Sequence, residues 1–584
     1  MGEDPLQSGS VPLRAMPTLA PPTRLDALIF NLKVSALRAQ RIACDVRWPL
    51  PRLRRADTSD NLRVVAQAST SLWSDVRPAE RAMQRGKVHN LRLAARRLDG
   101  LYLPAGAVFS FWKAVGPPLR ARGFVAGRML QEGCLVASPG GGLCQLSNAL
   151  YSAALDAGCE IIERHAHSRI VPGSLAQYGR DATVAWNYVD LRFRSSRALT
   201  LKVQLTAREL DVALLAADER AVQEVIPTVN APRPRANDCG SCGEATCFRH
   251  GQGATTAEGV AAFVLDDVSP EFNAYLASVR AAGDRYCLPM DGVCWRRANY
   301  AWDTTGFETI TAPVSTLRRA VASRRLAAQG PARQTQLLAD ADRMAAALAR
   351  ALDADVTELY VAQGYLPSLW RAGHLGGRRV HVLMNRLPLH VLHARLDAAA
   401  QQFPDRMTLA DFRADDARVE AEREALAAAD TIITPHRDIA ALFEGRAVVV
   451  DWMAPRAVPR NGTPARRILF SGPVVARKGA FEVREAARSL GLEVVVMGSD
   501  LEGAGFWGDV EVRKPAGDTF AGIAAVVQPA VIEERPRRLL AALAAGIPVI
   551  ATPACGLPPQ PGLTLVEPGD GDALIRALER ILPA

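Results

Sequence analysis

From Gly259 onward, short apolar runs alternate with longer helical patterns, and no other feature of the 584-residue chain limits its fold as tightly. Val260-Ala-Ala-Phe-Val-Leu265, Thr357-Glu-Leu-Tyr-Val-Ala362, Arg379-Val-His-Val-Leu-Met384 and Thr431-Ile-Ile-Thr434 read as buried strands. Helical patterns lie between them at Gln334 to Leu352 and Ala414 to Ala429, with a shorter one around Leu369. The pattern restarts at Arg467-Ile-Leu-Phe-Ser471 and runs on through Glu493-Val-Val-Val-Met497, Ala525-Val-Val527 and Val549-Ile-Ala551. Strands separated by helices predict parallel, doubly wound sheets. Two such runs in succession predict two α/β domains, at residues 256–448 and 449–584, with a cleft between them.

The N-terminal part reads differently. Residues 1–60 are rich in Pro, Arg and small residues and are expected to form a flexible or loosely docked leader, with one helix between Leu25 and Cys44. Residues 61–215 mix a helix from Lys87, carrying Leu91, Ala94, Ala95 and Leu98, with alternating strands such as Leu199-Thr-Leu-Lys-Val-Gln-Leu205, an α+β pattern. Within it, Ser138-Pro-Gly-Gly-Gly-Leu-Cys-Gln-Leu-Ser-Asn-Ala-Leu-Tyr151 places three glycines before apolar positions at helical spacing. Cys144 is therefore expected at a helix N-terminus, where unpaired amides and the helix dipole favour a thiolate. Glu160 to His167 reads as a strand with His165 and His167 on one face, and Asp181 heads a further strand candidate ending at Trp186. Nucleophile, base and orienting carboxylate are thus available in order. A buried, inert thiol with hydrogen-bonded histidines is the alternative.

Residues 216–255 form a linker holding Cys239, Cys242 and Cys247 in a C-x2-C-x4-C spacing. Clustered thiolates suit zinc or an iron–sulfur cluster, with His250, Cys287 or Cys294 to complete the site. The run Asp238-Cys-Gly-Ser-Cys-Gly-Glu-Ala-Thr-Cys247 looks like the start of a four-iron cluster module. The net charge of +9 rests mostly on scattered arginines without a like-charged block, which argues against a nucleic-acid partner. No run of eighteen apolar residues appears, so no membrane span is expected. The opening Met1-Gly-Glu-Asp-Pro lacks a secretory pattern, which leads us to expect a cytoplasmic location.

Several stretches together resemble the VanW family. They are Phe109-Ser-Phe111, Val115-Gly-Pro117, Arg122-Gly-Phe124, Gly140-Gly-Gly-Leu-Cys-Gln-Leu-Ser147, Leu150-Tyr151, Arg164-His-Ala-His-Ser168 and Gly179-Arg-Asp-Ala-Thr-Val184. The likeness spans roughly Arg85 to Leu205 and implies a domain, not a reaction. The order of Cys144, the histidines and Asp181 also looks like a transglutaminase-type or papain-like core. The α/β part is similar to glycosyltransferases of the two-Rossmann (GT-B) type. That resemblance is carried by Ala476-Arg-Lys-Gly479, Met497-Gly498, Gln528-Pro-Ala-Val-Ile-Glu533, Ala541-Ala-Leu-Ala-Ala-Gly-Ile-Pro-Val-Ile550, Cys555-Gly556 and Ala429-Asp-Thr-Ile-Ile-Thr-Pro-His-Arg437. It implies a nucleotide-sugar donor held by Gly472, Arg477, Lys478 and Glu533. It also shows two departures: Ala541 stands where a second acidic residue usually holds the ribose, and Pro473 lies near the usual arginine.

The expected fold is thus multidomain: a VanW-like α+β domain followed by two Rossmann-like α/β domains. The leading functional expectation is sugar transfer from a nucleotide-sugar donor to an envelope-related acceptor, in cell-envelope or surface-polysaccharide biosynthesis. A cysteine-dependent amide hydrolase or transferase, and a non-catalytic scaffold, are the competing ones.

Overall fold

The structure, a computed structural model, describes residues 24–56, 62–73, 80–131, 134–167, 175–217, 259–326, 331–456, 463–515 and 519–582. These fall into two compact units. One lies within Met1–Gln67, Leu101–Leu201 and Leu214–Thr255, the other within Ala68–Gly100, Lys202–Ala213 and Thr256–Ala584. The proposed ligands Cys239, Cys242, Cys247 and His250 lie outside the described residues. Among the described residues, no helix is long and apolar enough to cross a membrane.

Up to residue 216 the elements are α1 (Arg24–Arg47), β1 (Arg54–Arg55), β2 (Arg63–Ser71), α2 (Arg81–Leu98), β3 (Leu101–Leu103), β4 (Val108–Ser110), α3 (Phe111–Val115), β5 (Ala126–Gln131), β6 (Cys134–Pro139), α4 (Leu143–Asp156), β7 (Glu160–Glu163), β8 (Arg192–Arg194), β9 (Leu199–Leu205) and β10 (Glu209–Ala216). They build a five-stranded sheet in the order β1-β3-β9-β10-β2, a three-stranded sheet β4-β8-β7 and the hairpin β5-β6. α1 occupies the helix position expected between Leu25 and Cys44. Polar contacts hold it to its own unit: Arg41 pairs with Glu163 at 2.5 Å and Asp45 with Arg192 at 2.9 Å. The helical spacing of Leu146, Ala149, Leu150, Ala153 and Ala154 has its expected consequence, since all five are fully buried along one side of α4.

The α/β part continues with β11 (Val260–Val264), α5 (Pro270–Val279), β12 (Arg285–Leu288), β13 (Glu308–Thr311), α6 (Pro313–Arg325), α7 (Pro331–Leu348), β14 (Val356–Ala362), α8 (Leu366–Arg371), β15 (Arg379–Leu383), α9 (Leu389–Gln402), α10 (Asp416–Ala428), β16 (Thr431–Thr434), α11 (Arg437–Ala441) and β17 (Ala447–Val449). A second run follows: β18 (Arg467–Phe470), α12 (Ala480–Leu490), β19 (Glu493–Val496), β20 (Val512–Arg513), β21 (Ala525–Gln528), α13 (Arg537–Ala544), β22 (Val549–Ala551), β23 (Leu563–Leu565) and α14 (Gly571–Glu579).

Two sheets result, in the orders β13-β12-β11-β14-β15-β16-β17 and β20-β19-β18-β21-β22-β23. Every strand pair in them is parallel. Both orders run outward from a first strand and reverse beside it, which is Rossmann-like topology. The apolar runs of the inner strands are nearly continuous because both faces of those strands are covered. Val264, Val361 and Val382 enter one core while Phe263, Tyr360 and Leu383 enter another. The second sheet divides the same way, with Phe470, Val496 and Val527 on one face and Leu469, Val495 and Val526 on the other. Strand order then fixes where a ligand site belongs: beyond the carboxyl ends of the strands, at the reversal between β11 and β14 or between β18 and β21.

Candidate active sites

Two clusters of chemistry emerge, one in each unit. In the first, Gly142 enters α4 at φ 100°, a left-handed geometry that a side chain would resist. Gly141 packs closer still, since a Cβ there would lie 2.0 Å from the carbonyl oxygen of Gly127 on β5. The turn therefore backs onto the hairpin and places Cys144 in the first helical turn, where backbone N–H groups lack intrahelical partners. The Cys144 sulfur lies 3.6 Å from the Thr183 hydroxyl and 3.7 Å from the Val184 carbonyl.

The two histidines part company. The strand expected to reach His167 ends at Glu163, and the one expected over Asp181 to Trp186 is reduced to isolated bridges, His165 to Thr183 and Ala185 to Val189. The His165 side chain stays 50% exposed, with Nε2 3.4 Å from Glu163, and does not join the thiol. His167 does: its side chain is a hydrogen-bond partner of Cys144. Fully buried Asp181 accepts from the His167 backbone N–H at 2.8 Å through Oδ2 and hydrogen-bonds Nδ1 through Oδ1.

The loop carrying Asp181 is fixed to the helix carrying the thiol. Asn148 Oδ1 accepts from the Ala182 N–H at 2.8 Å, and the Ser147 hydroxyl donates to the Ala182 carbonyl at 2.5 Å. Arg164 Nε donates to the Asp181 carbonyl at 2.6 Å. Burial alone would raise the Cys144 pKa, yet the charge and hydrogen bond of His167 bring it below its ordinary value. Burial alone would lower that of His167, but Cys144 and Asp181 together raise it. The pair accordingly favours thiolate and imidazolium. By contrast, burial pushes Cys159 up to about 11, and Cys287 and Cys555 up to about 12.

The second cluster sits at the reversal between β18 and β21. The loops leaving these strands are laced together: Gln528 Nε2 donates to the Lys478 carbonyl at 3.2 Å, and the Val531 N–H donates to the Arg477 carbonyl at 3.0 Å. Across them Lys478 Nζ lies 3.1 Å from Glu533 Oε2 and donates to the Ile532 carbonyl at 3.0 Å. Burial would raise the Glu533 pKa, but Lys478 and the N–H groups of Arg535 and Glu534 keep it below its ordinary value. Gly472 lies against the Gln528 amide, 3.0 Å from where a Cβ would stand.

Arg477, expected at the donor, stacks on Phe412 with 4.7 Å between guanidinium carbon and ring centroid. Ala541 packs against the core below β22, so the acidic position missing there has no polar substitute at that residue. Sequence reading missed three contributors. Arg538 donates to the Ser471 carbonyl at the start of the β18 loop. His436, 1% exposed after β16, donates from Nε2 to the Glu533 carbonyl at 2.9 Å. Glu271 on α5 binds Arg537 on α13 and so ties the two sheets' helices together. Only His436 left a local signal, in the Thr434-Pro-His-Arg437 run; the other two depend on long-range contacts.

Cys287, offered as a metal ligand, is a fully buried residue of β12 inside the apolar core, and Cys294 is exposed. Among the described residues, no three His, Cys, Asp or Glu side chains are grouped to hold a metal ion. A cavity of about 650 Å³ lined by Arg96, Arg350, Arg371 and His374 takes in no residue of either cluster.

The family model for VanW-like proteins matches residues 86–215, and that for group 1 glycosyl transferases matches residues 467–583. The uncharacterized protein YoaR of Bacillus subtilis is 36% identical over 111 residues, 19% of this chain and 36% of its own. The vancomycin B-type resistance protein VanW of Enterococcus faecalis is 35% identical over 128 residues, 21% of this chain and 46% of its own. The chain thus spans less than half the length of either relative. Among solved structures, sucrose-phosphate synthase from Thermosynechococcus elongatus has a TM-score of 0.35 at 16% identity, covering 56% of this chain and 90% of that one. Anabaena HepE in complex with UDP and glucose has a TM-score of 0.33 at 13% identity, covering 55% and 89%. The chain carries a VanW-like domain at residues 86–215 and a group 1 glycosyl transferase domain at residues 467–583.

Proposed function

We propose that the two Rossmann-like domains transfer a sugar from a nucleotide-sugar donor to an acceptor of cell-envelope or surface-polysaccharide biosynthesis, in the cytoplasm. The observation that carries this reading is the Lys478–Glu533 pair, which bridges the two loops at the reversal of the second sheet. In such a reaction a nucleoside diphosphate leaves with growing negative charge. A fixed cation beside the diphosphate offsets that charge most where it develops, in the transition state. Lys478 supplies the cation, and Glu533, held ionised, supplies an acceptor for sugar hydroxyls. The VanW-like domain would present the acceptor, fusion raising its effective concentration.

The test is release of nucleoside diphosphate from UDP-, dTDP- and GDP-sugars by the full chain. At least one donor should be turned over, and Lys478→Ala should reduce its turnover about 10²- to 10³-fold, as loss of a charge-stabilising group does. Turnover unchanged in Lys478→Ala would refute the assignment. So would the absence of both turnover and any donor-induced rise in melting temperature.

A further inference from the structure

The group 1 glycosyl transferase match, residues 467–583, does not include the cluster of Cys144, His167 and Asp181. We infer that the VanW-like domain is itself an acyl-transfer active site, in which Cys144 attacks the carbonyl of an amide substrate, His167 is the acid–base and Asp181 orients it. The inference stands on geometry and does not depend on the sugar-transfer reading.

Asp181 makes two contacts with the same residue, one to the His167 backbone N–H and one to Nδ1, and so fixes both the position and the tilt of the ring. With Nδ1 engaged, Nε2 is the ring nitrogen left for the thiol. Ser147 and Asn148 lie three and four residues beyond Cys144 on α4, and both grip Ala182, the neighbour of Asp181. One helix therefore sets the nucleophile and the loop that holds its base. A structural cysteine needs none of this. Cys159, Cys287 and Cys555 are plain buried thiols, and none of them has a histidine partner of this kind among the described residues.

The choice of an amide follows from what the third group does. A thiol that only meets oxidants needs no proton donor locked by a buried carboxylate, whereas a departing amine does. The thiolate forms a C–S bond to the carbonyl carbon, and the resulting oxyanion faces the N–H groups of the first turn of α4. The C–N bond breaks as His167 gives its proton to the leaving nitrogen, which yields a thioester. Water, or a second amine, then attacks the thioester while His167 takes its proton. The C–S bond breaks and the thiolate returns.

The full chain is tested with two probes. Iodoacetamide alkylation of Cys144 is followed by peptide mass spectrometry across pH, with the exposed Cys44 and Cys294 as internal references. An unperturbed thiol titrates near about 8.5. Cys144 should titrate at least about one unit lower, return toward that value in His167→Ala and Asp181→Asn, and stay low in His165→Ala. p-Nitrophenyl acetate then reports acyl transfer: an acetyl adduct on Cys144 should form and turn over. Turnover should fall about 10²- to 10⁴-fold in His167→Ala and vanish in Cys144→Ser, while the melting temperature of Cys144→Ser shows that the fold is retained. Alkylation of Cys144 that follows Cys294, indifference to His167→Ala, or a reactive thiolate that takes no acetyl group would each overturn the assignment.

Discussion

Replacing Glu271 by glutamine tests how the two Rossmann-like domains are held together. The Glu271 side chain has no solvent exposure and accepts four hydrogen bonds. Two come from the Arg537 guanidinium, one at 2.6 Å from Nη1 and a shorter one from Nη2; one comes from the Ser269 hydroxyl at 2.6 Å and one from the Met453 N–H at 2.8 Å. Breaking a buried ion pair from one side costs about 3–5 kcal/mol, and single hydrogen bonds to charged groups about 1.5–3 kcal/mol. Arg537 is 32% exposed, so water re-solvates part of the abandoned charge, and the glutamine oxygen keeps some of the bonds. The expected loss for Glu271→Gln is therefore about 2–3 kcal/mol, which at about 2.1 cal/mol/K of unfolding entropy per residue over a unit of this size is a fall of roughly 3–4 °C in its melting.

The pH dependence sharpens the test. Burial would raise the Glu271 pKa, but Arg537, Ser269 and the Met453 N–H bring it below its ordinary 4.5. Its contribution is thus fully present above the unfolded value and disappears as pH falls through the lower, folded one. Thermal melts of wild type and Glu271→Gln at neutral pH should differ by that amount, and the gap should close in acid. A difference under about 1 kcal/mol, below what even one bond to a charged group is worth, or a gap that persists in acid, would refute the reasoning.

Two further substitutions probe close backbone approaches. In Gly141→Ala the new Cβ meets the Gly127 carbonyl, which no rotamer change relieves; overpacking of about 1–3 kcal/mol is expected, with a lower melting temperature and loss of selective Cys144 alkylation. Unaltered alkylation would show that the hairpin does not set the nucleophile. Gly556 has φ +63°, and a Cβ on it would lie 2.2 Å from His436 Nδ1. Gly556→Ala should displace His436 from the Glu533 carbonyl and weaken donor binding at least about tenfold, equal to about 1.4 kcal/mol, by calorimetric titration with the donor that proves active; full affinity would remove His436 from the site.

Much of this was readable along the chain because it depends on local physics. Strands such as Val260–Val264 declared themselves by continuous apolar runs, since parallel sheets bury both faces. Short elements such as β13 and β23, half-exposed edge strands, carry no such run and were invisible. Lys478 and Glu533 were singled out by the resemblance of their local runs, whereas the contact of Arg477 with Phe412, which comes from the other domain, left no local trace. Glu271 and Arg537 are 266 residues apart, and neither has a local pattern that names the other.

The cluster of Cys144, His167 and Asp181 divides along the same line. The sequence alone determined that Cys144 starts a helix, because three glycines before an apolar periodicity of 3.6 leave little else for the backbone to do. It could not choose between His165 and His167, since a period of two places both on one face of any strand. The tertiary structure made that choice. The strand stops at Glu163, and a fully buried carboxylate 14 residues further on captures the backbone and the ring of His167 together, which only a chain already folded back over α4 can do.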